Sequence, residues 1–172
     1  EDLSALTVEC WLNPESGSNS NYRRVLTQDG LNWLSIAETS LKIYSKFPDD
    51  NSAKFSTNSL EEDKWTHLAM VWDGTTLTFY FNGIKDPSTY SFESINSNTN
   101  SLLIGTENGT NTLHYWGEMD EFRIWSDART ESEIRENMCN GLTGNEDNLI
   151  SYYKFDNTSG TTLQDLSGNE YD

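Results

Sequence analysis

Residues Lys64–Gly83 read KWTHLAMVWDGTTLTFYFNG, and this stretch decides the architecture. Both arms are rich in aromatic and β-branched residues, which fit a pleated surface. Asp73-Gly74-Thr75 lies between the arms, and glycine accepts a positive φ there without a Cβ clash, so the pattern predicts a hairpin. Asn82-Gly83 marks a second turn at the far end. The chain is therefore expected to be antiparallel β, with this hairpin as one unit of a β-sandwich.

The same reading extends in both directions. Leu6–Leu12 (LTVECWL) predicts a strand with Val8, Cys10 and Leu12 on one face. Pro14–Asn21 reads as a Ser/Asn/Gly loop, and Arg24–Gln28 with Trp33–Ile36 as a hairpin around Asp29-Gly30. Leu41–Phe47 is another short strand, followed by a polar loop over Pro48–Ser52. Beyond the central hairpin, Ser94–Ser101 is polar, and Leu102–Gly105, Glu118–Trp125 and Leu149–Phe155 read as strands. One helix is expected within Ser126–Met138, its main part capped by Thr130, with Glu131 and Glu133 in the first turn. Asp156–Asp172 reads as a polar tail or linker. Strands at this spacing, with turn chemistry between them, predict an all-β sandwich of about a dozen short strands.

Composition narrows the function classes. The 172 residues suit a single domain spanning 1–172. The formal charge is −17 and the pI about 4.2, which argues against nucleic acid and anionic membrane surfaces. No apolar run approaches the ~18 residues of a membrane span, so no membrane insertion is expected. No leader is visible, but Glu1 is not an expected native start, so the chain reads as an excised piece. Cys10 and Cys139 could pair or remain free thiols. The sequons at Asn108 and Asn157 are explained by chance in so Asn-rich a chain.

The blocks LTVECWLNPES, KWTHLAMVWDGTTLTFYFNG, LLIG, GEMDEFRIWSDARTESEI and LISYYKFDNTSGTTLQDLSGN together resemble the laminin G-like, pentraxin-like branch of concanavalin A-type jelly rolls, from about Leu6 to Asn169. The resemblance implies two packed antiparallel sheets in an extracellular or cell-surface, non-catalytic module, often with calcium. It implies a glycan or cell-surface glycoprotein as partner, beside neighbouring domains of the same polypeptide. One departure stands out. Members of this branch carry an early F-D-G-x-D-D-Y-V type strand that nothing before Leu3 supplies, and the YYKFDNTSG block sits here at the end. A split or permuted domain is one expectation from this. The other is a tail that opens a following repeat.

Three segments carry candidate chemistry. Strict alternation over Glu118-Met-Asp120-Glu-Phe122-Arg-Ile124 puts Asp120 on the face of Phe122 and Ile124, towards the core. A carboxylate drawn inward needs a cation or good donors. Calcium takes carboxylate oxygens, so Asp120 is the first metal candidate, as the related glycosidases also imply. The alternative is pairing with Arg or backbone N–H groups. Laminarinase-type glycosidases share this fold and use E-x-D-x-E or a one-residue-bulged form, since retention needs two carboxyls about 5–5.5 Å apart. Here the second glutamate position holds Phe122, or Arg123 in the bulged form, so catalysis is not expected. His67 reads as structural, and neither His67 nor His114 belongs to a recognisable nucleophile motif.

The second segment is the stretch between Gly105 and Gly117, with Glu107, Asn108, Asn111, His114, Tyr115 and Trp116 as candidate glycan-binding residues. Aromatic faces stack on sugar C–H surfaces, and amides and carboxylates bond hydroxyls. Ordinary packing explains Tyr115 and Trp116 equally well. The pentraxin loop G-x-E-Q-D implies Glu107 as a calcium ligand and aligns Asn108 with its Gln, but Gly109 replaces its Asp, and Ser20-Asn21 stands where its Asp-Asn pair would be. The third segment is the tail, where Asp165 is a further metal candidate. Trp11, Trp65, Trp72 and Trp125 read as core, and Trp33 as rim or core. The function expected is a calcium-containing glycan-binding or adhesion module. The alternatives are a structural spacer or protein–protein module, and an accessory domain of a secreted glycosidase.

Overall fold

The computed structural model describes residues 3–17, 22–28, 31–37, 39–47, 50–91, 93–95, 100–107, 113–157 and 159–172. Eleven strands and one helix follow in the order β1 (Leu6–Pro14), β2 (Tyr22–Gln28), β3 (Leu31–Ala37), β4 (Lys42–Phe47), β5 (Asp50–Ser59), β6 (Thr66–Trp72), β7 (Thr76–Phe81), β8 (Ile84–Ser91), β9 (Leu102–Ile104), β10 (Gly117–Trp125), α1 (Glu131–Asn137) and β11 (Leu149–Tyr153). They form two antiparallel sheets, β11-β10-β1-β6-β7-β8 and β5-β4-β3-β2-β9. Hairpin neighbours are interrupted by crossovers that place β1 between β10 and β6 and β9 beside β2, the crossed order of a jelly roll.

The central hairpin forms as expected. Leu68 to Trp72 pair with Phe81 to Leu77, and the Asp73 carboxylate accepts the Thr75 and Thr76 N–H groups across the turn at 2.9 and 2.7 Å. Asn82 and Gly83 both have positive φ, the signature of a type I′ turn, and lead into β8. Alternation then fills the space between the sheets. Leu6, Val8, Cys10 and Leu12 of β1, Leu68, Met70 and Trp72 of β6, and Phe122 and Ile124 of β10 meet Leu26, Leu34, Ile36 and Phe47 from the other sheet. Trp33 is buried in this core.

Two strands were not legible as strands. β5 covers Asp50–Ser59, where a polar loop was expected to run to Ser52, and β8 follows the second turn. Both are edge strands paired on one side, so neither needs a long apolar stripe. They close one side of the sandwich against each other. Asp86 of β8 accepts the backbone N–H groups of Thr57 and Asn58 of β5, each at 2.8 Å, and the Tyr90 hydroxyl donates to the Phe55 carbonyl at 2.6 Å. On the opposite side, between β9 and β11, an apolar groove of about 770 Å³ remains, bordered by Leu3, Leu26, Trp33, Ile104, Tyr153 and Tyr171.

The helix is shorter than the predicted segment, because residues 126–130 run in as a non-helical lead. Thr130 and Glu133 form a reciprocal capping box. Ile134 is buried on Ala69, Val71 and Tyr80, so α1 covers the outer face of β6 and β7. The tail is docked rather than trailing. Tyr152 N–H donates to Asp165 at 2.9 Å, Leu166 N–H to the Tyr152 carbonyl at 2.8 Å, and the Ser167 hydroxyl to the Ile150 carbonyl at 2.9 Å. These bonds cover the outer edge of β11, a row of backbone groups that would otherwise stand unpaired. Gly144 permits the approach, since a Cβ there would lie 1.9 Å from the Leu166 carbonyl oxygen.

Candidate functional site

Outward-facing residues of the six-stranded sheet build the site. Trp11 on β1 stands opposite His67 on β6 and opposite Asp120 on β10. Directly paired residues share a face, so Asp120 lies on the outer face with Trp11. This corrects the alternation reading. Between Glu9↔Arg123 and Trp11↔Asp120 the register slips by one residue, and Glu121 takes a φ of 50°. The bulge sends Phe122 and Ile124 inward while Glu118 and Asp120 point out, since a one-residue slip moves side chains to the other face.

Past the bulge, Arg123 also faces outward, yet it is fully buried. Its guanidinium donates to the carbonyls of Asn137 (2.9 Å) and Asn140 (2.7 Å) and to the Glu121 carboxylate. It lies 3.6 Å from Glu9 and over the Tyr152 ring, 5.4 Å from its centroid. The Tyr152 hydroxyl donates to Glu121 at 2.7 Å, and burial together with this bond raises its pKa to about 12. Glu9 accepts from the Trp125 indole at 3.0 Å. Burial raises the Glu9 carboxyl, although Arg123 and Trp125 pull it down. His67 is lowered to about 3 by burial and then by Arg123, so it is neutral and structural. Its ring meets Trp11 edge-on, with centroids 5.4 Å apart.

This buried network holds the segment after α1 in place. Arg123 grips the Asn137 and Asn140 carbonyls, and the Trp11 indole donates to the Met138 carbonyl at 2.7 Å. Between that segment and the sheet lies a pocket of about 360 Å³, lined by Trp11, Trp65, Asp120 and Glu121 on one side and by residues 138–141 on the other. Trp65 precedes β6 and is 41% exposed, not core. Trp72 and Trp125 are buried, Trp72 between the sheets and Trp125 on the outer face with Leu149 and Tyr152. Trp11 is half-buried. Asp120 accepts the Glu121 N–H on Oδ1 at 2.8 Å. Burial, then Glu121 and Asp156, raises its carboxyl. Cys139 is an exposed free thiol on the pocket wall, and Cys10 a buried one whose pKa burial pushes up; they are not bonded to each other.

The described residues singled out between Gly105 and Gly117 each have a setting of their own. Glu107 is ion-paired with Arg24, which also donates to the Tyr44 hydroxyl. His114 Nδ1 lies 2.9 Å from the Thr106 hydroxyl. Tyr115 packs against the main core, and its hydroxyl donates to the Glu118 carbonyl at 3.1 Å. Trp116 is 51% exposed. Asn108 and Asn111 lie outside the described residues. The start of β10 approaches β1 so closely that a Cβ on Gly117 would meet the Asn13 carbonyl oxygen at 2.1 Å.

The carboxylates expected to hold calcium sit in three separate settings. Asp165 accepts from the N–H groups of Tyr152, Ser167 and Tyr171 and from the Ser167 hydroxyl. Burial raises its carboxyl, but these bonds outweigh it and hold the pKa below the usual range. Glu107 belongs to Arg24, and Asp120 faces the pocket. Among the described residues no three His, Cys, Asp or Glu side chains form a metal-binding group. These three do not fit a single calcium site.

Among the described residues the glycosidase pattern of β10 is not completed. The bulge turns Glu118, Asp120 and Arg123 to one side, so the place of the second glutamate is filled by a buried guanidinium that cannot exchange a proton. Glu118 accepts from Asn13 at 2.9 Å, and Glu121 serves Arg123 and Tyr152. The pocket offers a ligand an open indole, two carboxylates and an amide at its wall. Sequence reasoning missed Trp65, Glu121 and Asn140. The signal available was the bulged alternative in the Glu118–Arg123 pattern.

Comparison with known proteins agrees with the fold. Mouse pappalysin-1 is 24% identical over 190 residues, covering 96% of this chain and 12% of that protein. Human usherin is 23% identical over 143 residues, covering 78% and 3%. The chain thus spans a small fraction of the curated relatives it matches. Among solved structures, a Bacteroides ovatus protein provisionally assigned to carbohydrate binding superposes with a TM-score of 0.83 at 22% identity, over 98% of this chain and 51% of that one. Domain 4 of an extracellular arabinanase from Geobacillus stearothermophilus, in complex with arabinotriose, gives 0.60 at 19%, over 79% and 67%. A pentraxin from Limulus polyphemus gives 0.59 at 19%, over 83% and 75%. The family model Laminin_G_3 matches residues 2–135, and with most of its length so matched the chain belongs to the concanavalin A-like lectin/glucanases superfamily.

Proposed function

We propose that this domain is a non-catalytic glycan-binding module whose site is the pocket on the outer face of the six-stranded sheet. The observation that carries the reading is Trp65, 41% exposed, on the wall of a cavity it shares with Asp120 and Asn140. A flat indole buries the C–H face of a sugar while carboxylate and amide oxygens take its hydroxyls, and such sites need few polar groups if those are fixed. Here Arg123 and Trp11 hold the backbone of the facing segment through the Asn137, Met138 and Asn140 carbonyls. The arabinotriose complex of a similarly folded domain supports sugar binding as a use of this architecture. The acidic composition and the extracellular setting of that arabinanase support an extracellular or cell-surface location.

In this pocket calcium would meet the second oxygens of Asp120 and Glu121 and the Asn140 amide oxygen, which falls short of the roughly six to eight oxygens the ion takes. A rise in Tm with calcium over chelator, absent in Asp120→Ala, is the result that would bring the ion into the reading.

The test is a glycan panel read by calorimetry on the wild type and on Trp65→Ala. Binding of one sugar class, weakened at least about tenfold in the variant, is the expected outcome. A panel with no binder would leave the structural-spacer reading in its place.

A further inference from the structure

The atoms lining this pocket say more than that a sugar fits. The wall carries two carboxylates, Asp120 and Glu121, and no basic side chain. Asp120, on the pocket wall, uses Oδ1 for the Glu121 N–H, leaving Oδ2. Glu121 takes both Arg123 and Tyr152 on Oε2, leaving Oε1. Asn140 gives one of its two amide N–H groups to the Glu136 carbonyl, so its side-chain oxygen and one N–H are left over. The Trp11 indole N–H is committed to Met138.

Three cations stand near the wall. Arg123 is fully buried and bonded to Glu121 and to two carbonyls. Lys64, next to Trp65, pairs with Glu61 at 2.6 Å. Lys154 stands 5.6 Å from the centre of the Tyr152 ring, its ammonium 3.5 Å from where a Cβ on Gly141 would lie. No basic residue is on the pocket wall itself, and the whole chain carries −17.

A ligand must complement this inventory. An acidic sugar brings further acceptors and like charge to two carboxylates. A hydroxyl-rich neutral sugar brings donors. An amino sugar brings donors and a charge that strengthens each bond to a carboxylate, while its ring still offers a C–H face to Trp65.

Resting on the glycan-binding reading, we propose that the pocket selects sugars that present donors and no anion, and prefers those bearing a free, protonated amino group over their neutral counterparts. Asp120 supplies the carboxylate that meets the ammonium, and Trp65 supplies the stacking face.

The experiment uses the 172-residue chain and four short oligosaccharides: glucosamine, N-acetylglucosamine, glucose and galacturonic acid oligomers of matched length. Affinities are measured by calorimetry at about pH 6, below the range in which an amine gives up its proton. The glucosamine oligomer is expected to bind about tenfold tighter than the N-acetylated one, with no binding of galacturonate. Asp120→Asn should erase that tenfold advantage while leaving the neutral sugars bound. Trp65→Ala should weaken all binders together. Galacturonate binding that depends on Trp65 would keep the site and overturn this selectivity. Equal affinity for amino and acetylated oligomers, or an amino preference that survives Asp120→Asn, would also overturn it. Absence of binding to any of the four would remove the selectivity together with the glycan-binding reading.

Discussion

The two faces of the six-stranded sheet are both largely covered, by opposite chemistry. Its inner face, with Leu6, Val8, Leu68, Met70, Phe79 and Phe122, is hydrocarbon packed against hydrocarbon. Its outer face hides Glu9, His67 and Arg123 beneath α1 and the segment that follows it. The inner face is stabilised by the area it removes from water, roughly 25 cal/mol per Å² of apolar surface. The outer face places charges where they are costly unless each is bonded, and it bonds them in one connected set running Glu9–Arg123–Glu121–Tyr152. The inner face is tolerant of exchange between hydrocarbons of like volume. The outer one is specific, because its hydrogen bonds end on the carbonyls of Asn137, Met138 and Asn140 and so position one wall of the pocket.

This contrast can be broken most severely at Arg123. Arg123→Met leaves Glu9 buried beside an apolar group, frees two carbonyls and unpins the 138–141 segment. A loss of about 3–5 kcal/mol is expected in urea unfolding, together with weakened sugar binding. Leu68→Ala on the inner face should cost about 2–4 kcal/mol through the cavity it opens and leave sugar affinity unchanged. A Leu68→Ala protein with impaired binding would contradict the separation of the two faces.

Smaller effects sharpen the picture at the carboxylates. Asp165→Asn, in the docked tail, should cost about 2 kcal/mol through weakened bonds to three backbone N–H groups. Its pKa is lower folded than unfolded, so its contribution is complete above the ordinary Asp range and is lost as pH falls. The gap between wild type and variant should close below about pH 4 in thermal melts. Glu9 has the opposite sign. Its carboxyl is raised by burial, so its contribution grows as the solution is acidified and is lost as pH rises through the folded value. A pH titration of Glu9→Gln against wild type should therefore slope the other way. The smallest stability effect is expected at Trp65, where truncation to Ala should change unfolding by under about 1 kcal/mol while removing sugar binding.

Much of the inner face could be read directly. Val8, Cys10 and Leu12 fall on one side by strict alternation, Asp73-Gly74 and Asn82-Gly83 turn where they were expected, and Thr130 with Glu133 caps the helix. Each of these depends on neighbours within a few residues. The outer face does not. Its bulge centres on Glu121, a non-glycine residue at positive φ, so nothing in the composition marks it, and that single slip moves Asp120 from the core to the pocket. Trp65 is an aromatic among aromatics in the strand block, and its exposure follows from preceding β6 rather than from its type. Asp165 reads as a solvated acid or metal ligand because its true partners are backbone N–H groups, which are the same in every sequence. β5, with residues DNSAKFSTNS, lacks an apolar stripe because an edge strand paired on one side does not require one.

The pocket and the exposed Trp116 give two competing places for a ligand, and six indole N–H signals can separate them. A titration of ¹⁵N-labelled protein with whichever oligosaccharide binds, followed through the tryptophan Nε1–H resonances, tests the central claim most directly. The account predicts the largest shifts at Trp65 and Trp11, with Trp116, Trp72 and Trp33 unmoved. A shift confined to Trp116, with Trp65 silent, would place the ligand at the other region and contradict the account.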